Sequence, residues 1–333
     1  MGVIGSGTWG TALAVLLTGN GHRVSLWSAI GEEAEALKAS RRHPNLGDVR
    51  IPETIEITTD LEEAMKDRDL LVLSVPSVYV RQTARRMAPF LREGQIITNV
   101  AKGVEDETLL TLSQVIEEEL PAAQVTVLSG PSHAEEVSKG LPTTCVAGAK
   151  KRRTAEFVQN VFMSHVFRVY TSPDVLGIEL GGALKNVIAL AAGMADGLGY
   201  GDNTKAALIT RGIAEITRLG TAMGGQMETF GGLTGIGDLI VTCASMHSRN
   251  RRAGILIGQG YSMEEAMKEV HMVVEGVYSA RAALALARKY QVSMPIVEQV
   301  NEVLFDGKPA KDALYDLMLR DRRAENALLE WKE

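Results

Sequence analysis

Short apolar runs rich in β-branched residues punctuate the first half of the chain. They fall at Val3-Ile4, Arg23–Trp27, Ile55–Thr58, Leu70–Val75, Gln95–Val100, Val125–Leu128, Thr143–Gly148 and Phe167–Tyr170, and each reads as a strand. Between most of them the apolar positions recur at helical spacing, as over Thr11–Gly19 and Leu109–Glu119. Strand–helix alternation of this kind predicts a parallel sheet covered on both faces. After Ser172-Pro173 the strand pattern stops. Helical patterns follow at Val175–Ala195, Lys205–Met223, Arg251–Ile257, Met263–Val270, Tyr278–Lys289 and Ile296–Phe305, separated by glycine clusters. The chain is therefore expected to be α/β over residues 1–172 and all-α over residues 173–333.

Composition narrows the picture. A length of 333 residues suits about two domains, and 45% hydrophobic content is enough for two cores. Lys and Arg total 35 against 41 Asp and Glu, a net charge of −6, which disfavours nucleic acid or an anionic membrane as a general partner. Basic clusters at Arg85-Arg86, at 150–153 and at Arg249 with Arg251-Arg252 read mostly as solvated surface. Cys145 and Cys243 lie far apart without metal-ligand spacing, so they read as buried small hydrophobes rather than a disulfide or zinc site. No secretory signal pattern opens the chain. The apolar stretch Leu180–Ala195 carries Lys185 and Asn186 and reads as too short and too polar to span a bilayer. The expectation is a soluble, cytoplasmic protein.

The opening stretch GVIGSGTWGTAL carries Gly5, Gly7 and Gly10 in G-x-G-x-x-G spacing, after a short strand and before a helical pattern. Context makes this the fingerprint of a Rossmann-type dinucleotide site: one glycine for the turn, one for the pyrophosphate, one for helix packing. The acid that usually ends the second strand and binds the adenosine ribose is missing, since that strand ends Leu26-Trp27-Ser28-Ala29. No Arg stands there for a 2′-phosphate either. Glu32 and Glu33 come later and read as first-turn helix charges. The choice between NAD and NADP stays open.

In IELGGALKNVIALAAGMA, Lys185 sits in a helix apolar on nearly every face. An ammonium there either snorkels, pairs with Glu179, or faces a polar cleft where it can exchange a proton with substrate. Lys205, near a helix start, is a cleft or a surface residue. Asp238 stands alone in GLTGIGDLIVTC, as a turn cap or as a ligand of the cleft. Ser248, Arg249 and Asn250 precede a helical pattern, either as a phosphate site or as a basic turn with Ser248 as N-cap. Ser132 and Glu135 fit a capping box, with Ser132 and Ala134 also candidates to line the cofactor groove. His133 has no recognisable Asp partner and is a weak candidate for a general base.

In that order, GSGTWGTAL, AKGVE, SGPSHAEEV, GALKNVIA, GDNTKAALITRG, GLTGIGDLIVTC, SRNRRAG and VVEG make the chain resemble the NAD(P)-dependent sn-glycerol-3-phosphate dehydrogenases of the bacterial cytoplasmic type, from Gly2 to about Arg320. The resemblance implies reversible hydride transfer between NAD(P)H and dihydroxyacetone phosphate, giving sn-glycerol 3-phosphate for phospholipid synthesis. It implies Lys185 as the catalytic acid/base, with Lys102, Asn186 and Asp238 beside it. Gly130, Ser132, Lys102, Lys185, Asp238, Ser248, Arg249 and Asn250 would bind substrate. Gly5, Gly7, Thr8, Trp9, Gly10, Lys102, Ala134, Arg249, Val273 and Glu275 would bind the cofactor. It further implies no metal and a homodimer. Many members carry a basic residue where this chain has Ala29, which leaves cofactor preference undetermined. Two rival readings are a hydroxy-acid dehydrogenase of the same architecture and a non-catalytic, dinucleotide-sensing regulator.

Overall fold

The computed structural model describes residues 1–322 together with 324 and 325, so the last residues of the expected helical half lie outside it. Its first half is an eight-stranded sheet. The strands are β1 (Gly2–Ile4), β2 (Ser25–Trp27), β3 (Glu56–Thr58), β4 (Leu70–Leu73), β5 (Ile96–Asn99), β6 (Gln124–Ser129), β7 (Thr143–Ala149) and β8 (Phe167–Ser172). Their spatial order is β3-β2-β1-β4-β5-β6-β7-β8. Val3 of β1 sits in register with Leu26 of β2 on one side and Val72 of β4 on the other. The chain thus winds outward from β1 in one direction and then, from β4, in the other. The crevice at the carboxyl ends of β1 and β4 is the ligand position of such sheets.

Alternation along the strands feeds two cores. Val3, Leu26, Leu70 and Val72 pack on one face with Leu13, Leu17, Ala34, Leu37, Val158 and Phe162. Ile4, Trp27, Leu71, Leu73 and Ile97 pack on the other with Ala84, Met87, Val115 and Ile116. Helices therefore cover both faces, as the pattern predicts. Two strands depart from it: β7 runs antiparallel to β6, and β8 pairs parallel with β7, so both are reversed relative to β1–β6. The β6–β7 connection holds only the short helix Ala134–Val137, without the long crossover helix that usually returns a chain parallel. The first helix starts at Thr8 rather than Thr11. The helix expected from Leu109 starts at Leu112, because Leu109 takes φ +61° and Thr111 with Gln114 forms a capping box.

Beyond β8 every described element is helical. The helix Val175–Gly197 forms the axis, buried continuously from Gly177 to Ala195. Asp174 starts it by accepting the Gly177 amide at 2.9 Å. At 23 residues it is long and apolar enough to cross a membrane, unlike the shorter stretch read from sequence, yet 89% of its most apolar window is buried inside the protein. Around it pack the helices Asp202–Ala222, Asp238–Ala244, Arg249–Gly258 and Glu275–Lys289. A Cβ on Gly193 would lie 2.2 Å from the Arg251 carbonyl oxygen, and one on Gly254 would lie 2.3 Å from that of Leu190. This glycine contact lets the helix Arg249–Gly258 approach the axial helix backbone to backbone.

Candidate active site

The glycine loop is shaped for a dinucleotide. Gly5 takes φ +121°, and a Cβ there would lie 2.6 Å from the Ser74 carbonyl oxygen. A Cβ on Gly10 would lie 1.9 Å from the Gly5 carbonyl oxygen, so only glycine lets the helix seat on the loop. At Gly7 a Cβ would meet nothing within 4 Å, which leaves open space above the backbone. Gly7 is also the N-cap of the helix Thr8–Gly19 and offers no capping side chain, so the first amides are available to a pyrophosphate. The Ser74 hydroxyl, just past β4, is buried without a partner among the described residues. These features fit a bound NAD or NADP. Thr8 and Trp9 stand at the helix start, and Trp9 packs against the cluster that contains Ala12, Leu46 and Ala134. Across the crevice the Glu275 carboxylate accepts the Ser77 amide at 3.1 Å and the Ser77 hydroxyl, tying the helical half to the end of β4. Val273 lies two residues before it, partly buried.

The chemical centre is a buried carboxylate between two lysines. Lys185 Nζ donates to Asp238 Oδ1 at 2.5 Å and to Thr242 Oγ1 at 2.6 Å. Lys102 Nζ donates to Asp238 Oδ2 at 2.7 Å and to the Gly130 carbonyl oxygen at 3.0 Å. Four segments converge here: the turn after β5, the turn after β6, the middle of the axial helix, and the start of the helix Asp238–Ala244 behind a π-helical turn at Leu233–Gly237. Each ammonium has three donors. Two are engaged on each lysine among the described residues, leaving one apiece for a ligand. Burial pulls the Lys185 pKa down to about 8, Asp238 opposes the drop, and Lys102 adds to it. Burial alone would raise the Asp238 carboxyl, but Lys102 and Lys185 outweigh it and hold the group below its ordinary value. Glu179, the alternative partner for Lys185, lies elsewhere. Its carboxylate accepts Asn99 Nδ2 at 3.2 Å and the Ser113 amide at 2.9 Å.

A chain of amides extends the site. Asn250 Nδ2 donates to Asn186 Oδ1 at 2.9 Å, and the Gly276 amide donates to Asn250 Oδ1 at 2.8 Å. This order fixes which way both amides face and turns the Asn186 NH2 group away from Asn250. Ser248 is the N-cap of Arg249–Gly258, accepting the Arg251 amide at 3.2 Å. Arg249 makes no hydrogen bond or ion pair to any described residue, so its guanidinium fork is uncommitted.

Other expectations change. Ser132 forms no capping box with Glu135; its hydroxyl donates to the Gly130 carbonyl oxygen at 2.9 Å, and His133 is the N-cap of Ala134–Val137. The helix Ala134–Val137 begins one residue later than a Ser132 cap requires, which puts His133 at the N-cap position. Lys205 pairs with Asp196 at 2.9 Å, and Asp196 also holds Arg251 at 2.8 Å. His133 lies 5.7 Å from His247 ring to ring, and its Nε2 has no partner among the described residues. Burial and the charge of Lys185 lower its pKa. Thr242 was not anticipated from sequence, although it lies one helical turn after Asp238. Nor was the reach of Glu33, which remains in the first turn of Gly31–Ser40 but accepts Ser28 Oγ at 2.9 Å and Ser6 Oγ at 3.1 Å. Both Cys145 and Cys243 are free and buried.

Known proteins share this architecture. The family model for the N-terminus of NAD-dependent glycerol-3-phosphate dehydrogenase matches residues 1–155, and that for its C-terminus matches residues 174–315. The chain is 66% identical over 333 residues to glycerol-3-phosphate dehydrogenase (NAD(P)+) of Agathobacter rectalis, covering 100% of this chain and 99% of the relative. It is 50% identical over 327 residues to the enzyme of that name from Bacillus subtilis, covering 97% and 95%. The crystal structure of glycerol-3-phosphate dehydrogenase from Coxiella burnetii superposes with a TM-score of 0.92 at 35% identity, over 96% of this chain and 98% of that one. With a glycine cradle at the β1–β4 crevice and two lysines held on the buried Asp238 carboxylate, the chain belongs to the NAD(P)-dependent glycerol-3-phosphate dehydrogenase family.

Proposed function

We propose that this chain reduces dihydroxyacetone phosphate to sn-glycerol 3-phosphate, reversibly, with Lys185 as general acid and base. The observation that carries the reading is the Lys185–Asp238–Lys102 cluster at the mouth of a dinucleotide cradle. NAD(P)H, when bound in that cradle, supplies the hydride for reduction and NAD(P)+ accepts it in reverse. With a pKa of about 8, Lys185 is mostly an ammonium at neutral pH and delivers its free proton to the nascent alkoxide. A usable neutral fraction remains to take the proton back. Lys102 and the Asn186 NH2 group polarise the carbonyl, where negative charge develops. Asp238 holds both ammoniums, and Thr242 fixes Lys185 from the far side. The phosphate docks on the Arg249 fork and the helix start capped by Ser248. Gly130 and Ser132 border the Lys102 side of the site. The free thiols of Cys145 and Cys243 fit a reducing, cytoplasmic compartment, where the product would serve phospholipid synthesis.

The test is Lys185→Met assayed by nicotinamide absorbance with dihydroxyacetone phosphate. Loss of a general acid should lower kcat by about 10²–10⁴-fold while dinucleotide binding persists. Undiminished turnover would overturn the assignment. Turnover of a 2-hydroxy acid in place of the phosphate substrate would favour the hydroxy-acid reading instead.

A further inference from the structure

The end of β2 lacks an acid in sequence, but not in space. Ser28, immediately after β2, donates its hydroxyl to Glu33 Oε2 at 2.9 Å. Ser6, the variable residue inside the first Gly-x-Gly of the cradle, donates to the same oxygen at 3.1 Å. The carboxylate is therefore pinned between the glycine loop and the tip of β2, the place where a dinucleotide fold reads the adenosine ribose. Both hydroxyls use Oε2, so Oε1 has no hydrogen-bond partner among the described residues.

The cations of this segment are committed elsewhere. Lys38 pairs with Glu35 at 2.9 Å, Arg41 with Glu53 at 3.2 Å, and Arg42 with Asp48 at 3.2 Å. His43 is buried and its Nδ1 accepts the Asn45 amide; burial lowers its pKa from the ordinary 6.5 against the opposing charges of Glu33 and Glu135, so it is mostly neutral at pH 7. Among the described residues no cation forms an ion pair with Glu33.

We infer that Glu33 is the ribose-reading acid of this chain and selects NADH over NADPH. The inference rests on the dinucleotide-dependent function proposed above and deepens it. A ribose 2′-hydroxyl can donate to Oε1. A 2′-phosphate is mostly dianionic at neutral pH, accepts rather than donates, and meets a fixed carboxylate with no ion-paired cation to offset it.

The experiment is calorimetric titration of the full chain with NADH and with NADPH, without substrate, for the native protein, Glu33→Gln and Glu32→Gln. Loss of a charge-assisted hydrogen bond is worth about tenfold or more in affinity, so NADH should bind the native protein tighter than NADPH by at least about that factor. Glu33→Gln should weaken NADH, strengthen NADPH and collapse the ratio. Glu32, exposed and one residue away, should leave the ratio unchanged when replaced. A native ratio near one would overturn the inference. So would a parallel loss of both affinities in Glu33→Gln, which marks a purely structural carboxylate, or an equal shift in Glu32→Gln, which marks a general charge effect. Binding of neither dinucleotide would defeat the underlying functional reading, and this inference with it.

Discussion

Asp238 and Glu215 are both carboxylates buried in the helical half, at 1% and 3% exposure, yet their protonation differs in kind. Burial pushes Glu215 up to about 7, and its main compensation is the Ile296 and Val297 amides at the start of the helix Pro295–Phe305. Asp238 meets the same desolvation but faces two ammoniums and is held below its ordinary value. Backbone dipoles compensate a buried charge only in part, whereas two formal charges over-compensate it. The crevice therefore keeps a permanent anion that can hold two cations in place. The bundle interior keeps an acid that titrates near neutrality.

The sharpest way to break this contrast is Asp238→Asn. It leaves Lys102 and Lys185 facing each other with no counter-charge, and removing one partner of a buried ion pair costs about 3 kcal/mol or more. Chemical denaturation should show that loss. Reduction of dihydroxyacetone phosphate should also fail at a lower pH than in the native enzyme, because Lys185 would lose its proton more readily. An unaltered denaturation midpoint and pH profile would show that Asp238 does not hold the pair.

Glu215→Gln probes the other side. The folded-state pKa of about 7 lies above the ordinary 4.5, so the protonated group favours the folded state below pH 4.5. That contribution fades as pH rises and is lost by passage through 7. The native chain should lose about 3 kcal/mol of stability between these limits from this group, and Glu215→Gln should flatten that slope in denaturation curves taken across the window. An identical slope in both proteins would mean that Glu215 stays ionised in the fold.

The smallest effect concerns Lys102→Ala. Lys102 depresses the Lys185 pKa and shares Asp238 with it. Its removal should move the ascending, low-pH limb of the pH–rate profile for sn-glycerol 3-phosphate oxidation upward from about 8, since Lys185 must be neutral to take the proton. A limb that stays put would separate the two lysines electrostatically.

Much of the site was legible because single residues violated their surroundings. Lys185 in an apolar helix and Asp238 among glycines each demanded a partner, and each proved to be the other's. The glycine loop was legible because its spacing is itself a statement of backbone geometry. Glu33 was not, since reading along β2 looks for an acid at the strand end, while the helix that follows turns one back from five residues on. Glu179 stood open as an alternative partner for Lys185 because both lie on one helix. Its carboxylate is drawn off by Asn99 and Ser113 of the sheet half. The antiparallel β7 was invisible because strand direction depends on how the connection folds, not on the strand's own pattern.

By itself the sequence determined the alternation of strand and helix, the glycine cradle and the isolation of one lysine in an apolar helix, because these are local properties of period, φ and polarity. The tertiary structure alone decided which carboxylate neutralises which ammonium, where Glu33 points and how far the Lys185 pKa falls. Those depend on burial and on through-space distances between segments far apart in the chain, and Coulomb energies follow distance in space rather than separation in sequence.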